Sequence, residues 1–106
     1  MFSITKHYSP AVKADKCSGM HMQFANGYII SIQFHLMAYC SNRGKTSTDA
    51  CRNAEVAIFS PHGFYRMPDW THDDDVIGWQ TTDDVAKIIA HVSALPPVDN
   101  SDQNQL

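Results

Sequence analysis

Long apolar runs and leader-like segments are missing from this 106-residue chain. The longest apolar stretch is interrupted by Ser31 and Gln33 and is too short to span a bilayer. The N-terminal segment MFSITKHYSP lacks the apolar core of a secretion signal. These absences argue against a membrane or secreted protein, so we expect a soluble protein of the cytoplasm.

Cysteine is scarce as well. The chain has three, Cys17, Cys40 and Cys51. An odd number without dense spacing argues against obligatory disulfides. Cys40 and Cys51 could pair across a loop in oxidising conditions, but we expect buried or half-buried thiols.

Motifs for metal binding and catalysis are also missing. The six histidines never form His-x-His or His-x-x-x-His spacing, and no Cys-x-x-Cys occurs. Asp73, Asp74 and Asp75 are consecutive, whereas a calcium loop needs alternating carboxylates and a glycine. Gly44-Lys45-Thr46 lacks the upstream glycine of a phosphate-binding loop. We therefore predict no metal, no cofactor and no enzymatic activity.

Basic residues are almost absent from the second part of the chain. Residues 1–66 hold seven basic side chains against three acidic ones, a net charge of +4. Residues 67–106 hold Lys87 against eight aspartates, a net charge of −7. Such segregation creates a dipolar surface that can steer charged partners.

The clearest pattern that is present is MHMQFANGYIISIQF, residues 20–34. Two alternating runs flank Asn26-Gly27, the dipeptide that best tolerates the positive φ angles of a tight hairpin turn. Before it, a short edge strand at 2–4 and turns at Ser9-Pro10 and Ser18-Gly19 are expected. After it, 36–39 could extend the second strand or begin a new one.

The rest of the chain predicts a second hairpin and one helix. Residues 54–59 and 64–67 are typical of strands around a turn, and 76–79 of a short strand. Thr81 and Asp84 form a capping-box-like helix start. An apolar stripe spaced for one helix face follows, and Pro96-Pro97 ends the helix. The members of the stripe are Val85, Ile88, Ile89, Val92 and Leu95.

We therefore predict an α+β fold, a small antiparallel sheet of four or five strands (two hairpins) with one C-terminal helix packed on one face. Residues 1–97 form a single domain, and residues 98–106 read as a disordered polar tail. A small sheet has exposed edges, so a homodimer is expected.

Two surfaces are candidates for binding. The first is an acidic stretch that could mimic nucleic-acid phosphates towards a protein partner; it comprises Asp69, Trp70, Asp73, Asp74, Asp75, Asp83 and Asp84. The alternative is a basic and aromatic pocket for a phosphorylated ligand; it comprises Tyr39, Asn42, Arg43, Lys45 and Arg52. Trp79 is expected to pack under the helix, which leaves Trp70 as the better contact residue.

Four segments together, MHMQFANGYIISIQF, YCSNR, NAEVAIFSPHGFY and DDVIGWQTTDDVAKII, resemble a group of small accessory proteins of tailed bacteriophages and prophages. The resemblance spans about residues 19–95 and carries no catalytic residue. It implies a stoichiometric binding protein in the bacterial host, similar to anti-CRISPR proteins that occlude a host defence protein or nucleoprotein complex. The alternative it implies is a sponge that sequesters a nucleotide signal between protomers. Specific DNA binding is not expected.

Overall fold

Six β-strands and one helix follow one another along the chain in a computed structural model that describes residues 1–9, 13–44 and 50–98. Their bounds are β1 Phe2–Ser9, β2 Ala14–Gln23, β3 Ile29–Gln33, β4 Ala54–Ser60, β5 Gly63–Tyr65, β6 Val76–Gln80 and α1 Thr82–Ser93. The strands form one sheet in the order β1-β2-β3-β4-β5, and β6 also pairs with β4. All pairings are antiparallel, which confirms the predicted α+β class with one C-terminal helix.

The hairpin of β2 and β3 forms where the alternation predicts it. Met22 pairs with Ile30, and the Phe24 N–H donates to the Tyr28 carbonyl at 2.9 Å. Within this turn Gly27 alone has a positive φ, of 95°, so the turn is not the two-residue type expected for Asn26-Gly27. It is a longer loop with a single left-handed residue at its end. After two-residue turns, such loops are the next most common hairpin connection.

The N-terminal strands are longer than predicted. β1 runs over Phe2–Ser9 rather than 2–4, and β2 begins at Ala14. The turn expected at Ser18-Gly19 is wrong because this segment lies inside β2, where Gly19 pairs with Thr5 of β1 and Gln33 of β3 and a register shift skips Ser18. Ladder hydrogen bonds on both sides of β2 override the local preference of glycine for turns. Most of the Ser9-Pro10 turn lies outside the described residues.

The core lies between α1 and the centre of the sheet. Ile30, Val56 and Ile58 are fully buried on the face that Ile88 and Val92 cover from the helix. Each such side chain contributes about 1.5–3 kcal/mol by leaving water. The predicted apolar stripe of the helix is thus confirmed, with two buried members and three that pack at the margin of the core, namely Val85, Ile89 and Leu95.

The helix begins as the sequence predicts. Thr81 is the N-cap, and its hydroxyl accepts a hydrogen bond from the Asp84 N–H at 3.2 Å. The Asp84 carboxylate accepts one in return from the Thr81 N–H at 3.0 Å. This reciprocal capping box satisfies two of the backbone donors that a helix start leaves unpaired.

The segment between β3 and β4 forms no strand in its described part. Residues 36–39 neither extend β3 nor form a strand of their own, and turns and bends run from residue 35 to residue 44. The return strand of the second hairpin is Gly63–Tyr65, shorter than expected. No helix in the described part of the chain has the length and hydropathy needed to cross a membrane. Residues 99–106, nearly all of the predicted tail, lie outside the described residues.

Candidate binding site

The site begins with an irregularity in β6. Register between β4 and β6 shifts beside Glu55, so Gly78 and Trp79 form a bulge opposite it. Trp79 adopts a left-handed backbone with a φ of 51°, which is uncommon for a bulky residue. Its N–H donates to the Tyr39 carbonyl at 2.8 Å. The bulge therefore connects the edge of the sheet to the turn segment at residues 35–44.

Tyr39 is held against this bulge from two sides. Its N–H donates to the Glu55 Oε2 at 2.7 Å. A Cβ built on Gly78 would lie 2.6 Å from the Tyr39 Cβ and 2.9 Å from its carbonyl oxygen, closer than any side chain allows. Gly78 is thus required because the Tyr39 backbone packs directly on the main chain of β6.

Tyr39, Trp79 and Arg43 form a cluster that we call the exposed stack. The rings of Tyr39 and Trp79 lie 5.7 Å apart at an interplanar angle of 40°. The Arg43 guanidinium carbon lies 4.5 Å from the centre of the Tyr39 ring, within cation–π distance. Tyr39 is 47% exposed and Trp79 is 56% exposed. Two large aromatic side chains and an arginine so open to solvent have the composition of a binding hot spot.

The backbone beneath the exposed stack is held by Asn42. This residue is buried, and its Nδ2 donates to the carbonyls of Phe34 at 3.2 Å and Ala50 at 3.1 Å. Its amide hydrogens are therefore used within the protein, and Asn42 positions the segment rather than presenting its NH₂ group to a ligand. Arg43 is fixed in turn because its Nη1 donates to the Met37 carbonyl at 2.7 Å.

Arg52 supplies a second exposed cation near this segment. Its N–H donates to the Ser41 Oγ at 3.2 Å, which ties the two stretches of chain together. Arg52 lines a cavity of about 530 Å³ with Ser41, Asn42, Ala50 and Cys51. Of the predicted ligand site, the structure places Arg43 on the Tyr39 ring and joins Arg52 to Ser41 of the same turn segment, and Lys45 lies outside the described residues.

The acidic residues do not form one patch. Asp69 and Asp73–Asp75 lie in the loop before β6, and Asp83 and Asp84 follow its end. A strand of this length separates its two ends by roughly 15 Å. Asp84 belongs to the capping box, and hydrogen bonds from the Thr81 backbone and hydroxyl hold the pKa of its carboxyl below the usual range. The carboxylates before β6 therefore form the larger acidic surface.

The two tryptophans lie in environments other than those expected. Trp70 is half-buried and packs against the hydrophobic core, with its ring 5.4 Å from that of His72. The His72 Nε2 lies 2.9 Å from the Val76 carbonyl, so the pair anchors the acidic loop to β6. The prediction that Trp79 packs under the helix is wrong because the bulge places its ring outside. An interior glycine before an aromatic residue in a strand-like run is the signal that could have indicated this bulge.

Within the described ranges, no three His, Cys, Asp or Glu side chains converge closely enough to hold a metal ion. The comparisons add no relative. No family model, no curated protein and no solved structure matches this chain. The geometry of the site is therefore the basis of the functional argument.

Proposed function

We propose that this protein is a non-catalytic binding protein that sequesters a nucleotide, or another planar phosphorylated ligand, at the exposed stack. The observation that carries the proposal is the exposure of Tyr39 and Trp79 beside Arg43. Single exposed aromatic side chains are common, whereas two adjacent exposed rings beside an arginine leave a contiguous surface open to a ligand. Here the bulge, Gly78 and the Glu55 carboxylate all hold the two rings outside the core.

The chemistry of the stack suits such a ligand. A nucleobase stacked on an aromatic ring gains about 1–3 kcal/mol. Arginine has five N–H donors and binds phosphate through two parallel hydrogen bonds. Arg43 uses its Nη1 on the Met37 carbonyl, which fixes the guanidinium while leaving other donors for an anion. Arg52, at the neighbouring cavity, adds a second positive charge.

Isothermal titration calorimetry tests the proposal directly. The panel contains mononucleotides, cyclic mononucleotides, cyclic dinucleotides and inorganic phosphate. We expect at least one nucleotide to bind and Trp79→Ala and Arg43→Ala each to weaken it by about tenfold or more, the equivalent of one lost contact of about 1.4 kcal/mol.

The controls are an exposed aromatic and an exposed arginine elsewhere on the protein. Phe64→Ala, in β5, and Arg66→Ala, just after it, remove side chains of the same classes. Both variants should bind like the wild type. Absence of heat with every nucleotide, or equal loss in the stack and control variants, would refute the proposal.

A second candidate function is occlusion of a host defence complex, as the bacteriophage resemblance implies, through the acidic loop. Asp69, Asp73, Asp74 and Asp75 are exposed. Among the described residues, none of these carboxylates has a hydrogen-bonding or ion-pair partner. A dense anionic surface of this kind could occupy the groove in which a partner binds nucleic-acid phosphates.

This candidate has its own test. Replacing Asp73, Asp74 and Asp75 with Lys should abolish capture of a protein partner from host cells. Asp83→Lys, at the far end of β6, is the matched control and should retain capture. Capture that survives the triple replacement excludes the acidic loop as the contact surface.

The expected homodimer is also a proposal, with β1 as its interface. β1 is an edge strand in the described sheet, and Phe2 and Ile4 on it are 73% and 69% exposed. An exposed edge with apolar side chains favours pairing with a second copy. Light scattering should therefore give twice the 11.9 kDa chain mass, and Ile4→Lys should give the monomer. A monomeric wild type at micromolar concentration would exclude this interface.

A further inference from the structure

Two cysteines lie on adjoining segments of the chain beside the exposed stack. Cys40 lies in the turn segment and is 2% exposed, whereas Cys51 is half-buried just before β4. Both are free cysteines. Ser41, the residue after Cys40, joins their two segments: its Oγ lies 3.1 Å from the Cys51 Sγ, and its N–H donates to the Asn53 Oδ1 at 2.7 Å. The turn segment and the chain leading into β4 thus hold Cys40 and Cys51 in neighbouring positions.

The surroundings make the two thiols unequal. Cys51 lines the cavity of about 530 Å³ and also a second, largely apolar cavity of about 580 Å³, so reagents can reach it. Its Sγ lies 3.1 Å from the Ser41 Oγ. The Cys40 Sγ instead points inward, 3.5 Å from the His35 carbonyl oxygen. The Cys51 thiol is therefore open to attack, and the Cys40 thiol is buried.

The pKa values of the two thiols change in opposite directions. Burial raises the pKa of Cys40. For Cys51, burial acts in the same direction but is outweighed by hydrogen bonds from the Ser41 hydroxyl and the Asn53 backbone, which lower the pKa. The thiolate is the reactive form of cysteine, so this difference favours Cys51 as the first to react.

We propose that Cys40 and Cys51 are a redox modification site that a peroxide converts into a reversible disulfide. The Cys51 thiolate attacks the O–O bond, takes one oxygen as sulfenic acid, and releases water or an alcohol. The Cys40 thiol then attacks the Cys51 sulfur. The S–S bond forms as the sulfenic oxygen leaves as water with the proton of Cys40. Each disulfide therefore consumes one peroxide and oxidises two thiols.

Closing this disulfide requires the two segments to approach. A disulfide needs an S–S distance of about 2.05 Å and a Cα separation of about 4.4–6.8 Å. Neither cysteine lies in a strand or the helix, so a small movement breaks no ladder hydrogen bond. The bond would join the turn segment covalently to the start of β4. This proposal does not depend on the ligand of the exposed stack.

Mass spectrometry of the Cys17→Ser variant tests the proposal, because only Cys40 and Cys51 then remain to react. Treatment with stoichiometric hydrogen peroxide should lower the intact mass by about 2 Da, and dithiothreitol should restore it. Digestion without reductant should give one cross-linked peptide pair joining Cys40 to Cys51.

A second variant keeps the test decisive. Cys40→Ala, in the same background, should stop the reaction at the Cys51 sulfenic acid, which dimedone traps. Far-ultraviolet circular dichroism checks that the variant is folded. The proposal is overturned if the Cys17→Ser protein gains 16 or 32 Da without a cross-link, or if its mass does not change while a control peptide thiol is fully oxidised.

Discussion

The side-chain amide of Asn26 caps the end of the helix, donating hydrogen bonds from its Nδ2 to the carbonyls of Val92 at 2.8 Å and Leu95 at 3.1 Å. The Val98 N–H donates to the Asn26 carbonyl at 2.8 Å and closes the contact. Helix ends leave carbonyls without internal partners. The hairpin turn supplies a donor to the Leu95 carbonyl and a second donor to the Val92 carbonyl, so Asn26 joins the predicted hairpin to the end of the predicted helix.

Replacing Asn26 with Ala should destabilise the protein by about 1–3 kcal/mol, because the partly buried Leu95 carbonyl loses its donor and the Val92 carbonyl loses one donor, keeping the Leu95 N–H at 3.2 Å. Asn26→Asp keeps the shape but removes the donors and places a negative charge at the negative end of the helix dipole, so its loss should be larger. Urea unfolding followed by circular dichroism measures both. Equal stability of Asn26→Asp and the wild type would contradict the capping role.

Gly78→Ala tests the close approach that positions Tyr39. The added methyl would lie 2.6 Å from the Tyr39 Cβ, so the turn segment must move away from β6. We expect a loss of about 1–3 kcal/mol, as for other overpacked sites. The Trp79 indole resonance should also shift. An unchanged spectrum and unchanged stability would show that the two segments are not in contact.

The helix start should lose stability in acid. The folded-state pKa of Asp84 is lowered from 3.8 by its hydrogen bonds with Thr81. The stability that this carboxylate contributes is therefore complete above 3.8 and is lost as pH falls through the lower folded-state value. Asp84→Asn should remove this part of the pH dependence. Thr81→Ala, which deletes the N-cap oxygen, should cost about 1 kcal/mol at neutral pH.

The two tryptophans should differ in solvent access. A Trp70→Phe variant reports on Trp79 alone, and its fluorescence should be quenched readily by iodide. A Trp79→Phe variant reports on Trp70, whose half-buried ring should emit at shorter wavelength and be quenched less. Trp79→Phe should also leave stability within about 0.5 kcal/mol. Similar quenching of both residues would contradict their assigned environments.

The sequence predicts elements whose signal is local and periodic. The hairpin around Gly27 and the helix after Thr81 both carry such a signal, from alternation in one case and from a cap and an apolar stripe in the other. The lengths of β1 and β2 do not follow locally. They depend on pairing on both sides of β2, which overrides the turn preference at Ser18-Gly19.

The candidate site is only partly predictable for the same reason. Arg43 and Tyr39 are close in sequence and were expected together, and the structure stacks them. Trp79 joins them only because the bulge turns its side chain outward and because Gly78 lets the Tyr39 backbone pack against β6. These are contacts between distant segments of the chain, and the propensities of single residues do not predict them. Asn42 is a polar residue in a polar loop, which predicts exposure, but the fold buries its side chain.

The most direct measurement is a nuclear magnetic resonance titration of ¹⁵N-labelled protein with the nucleotide that gives the largest heat in calorimetry. Binding at the exposed stack should shift the Trp79 indole and Arg43 side-chain resonances in a saturable way and leave the Trp70 indole unchanged. The result that would contradict the account is binding that leaves Trp79 and Arg43 unperturbed, or no saturable shift with any nucleotide in the panel.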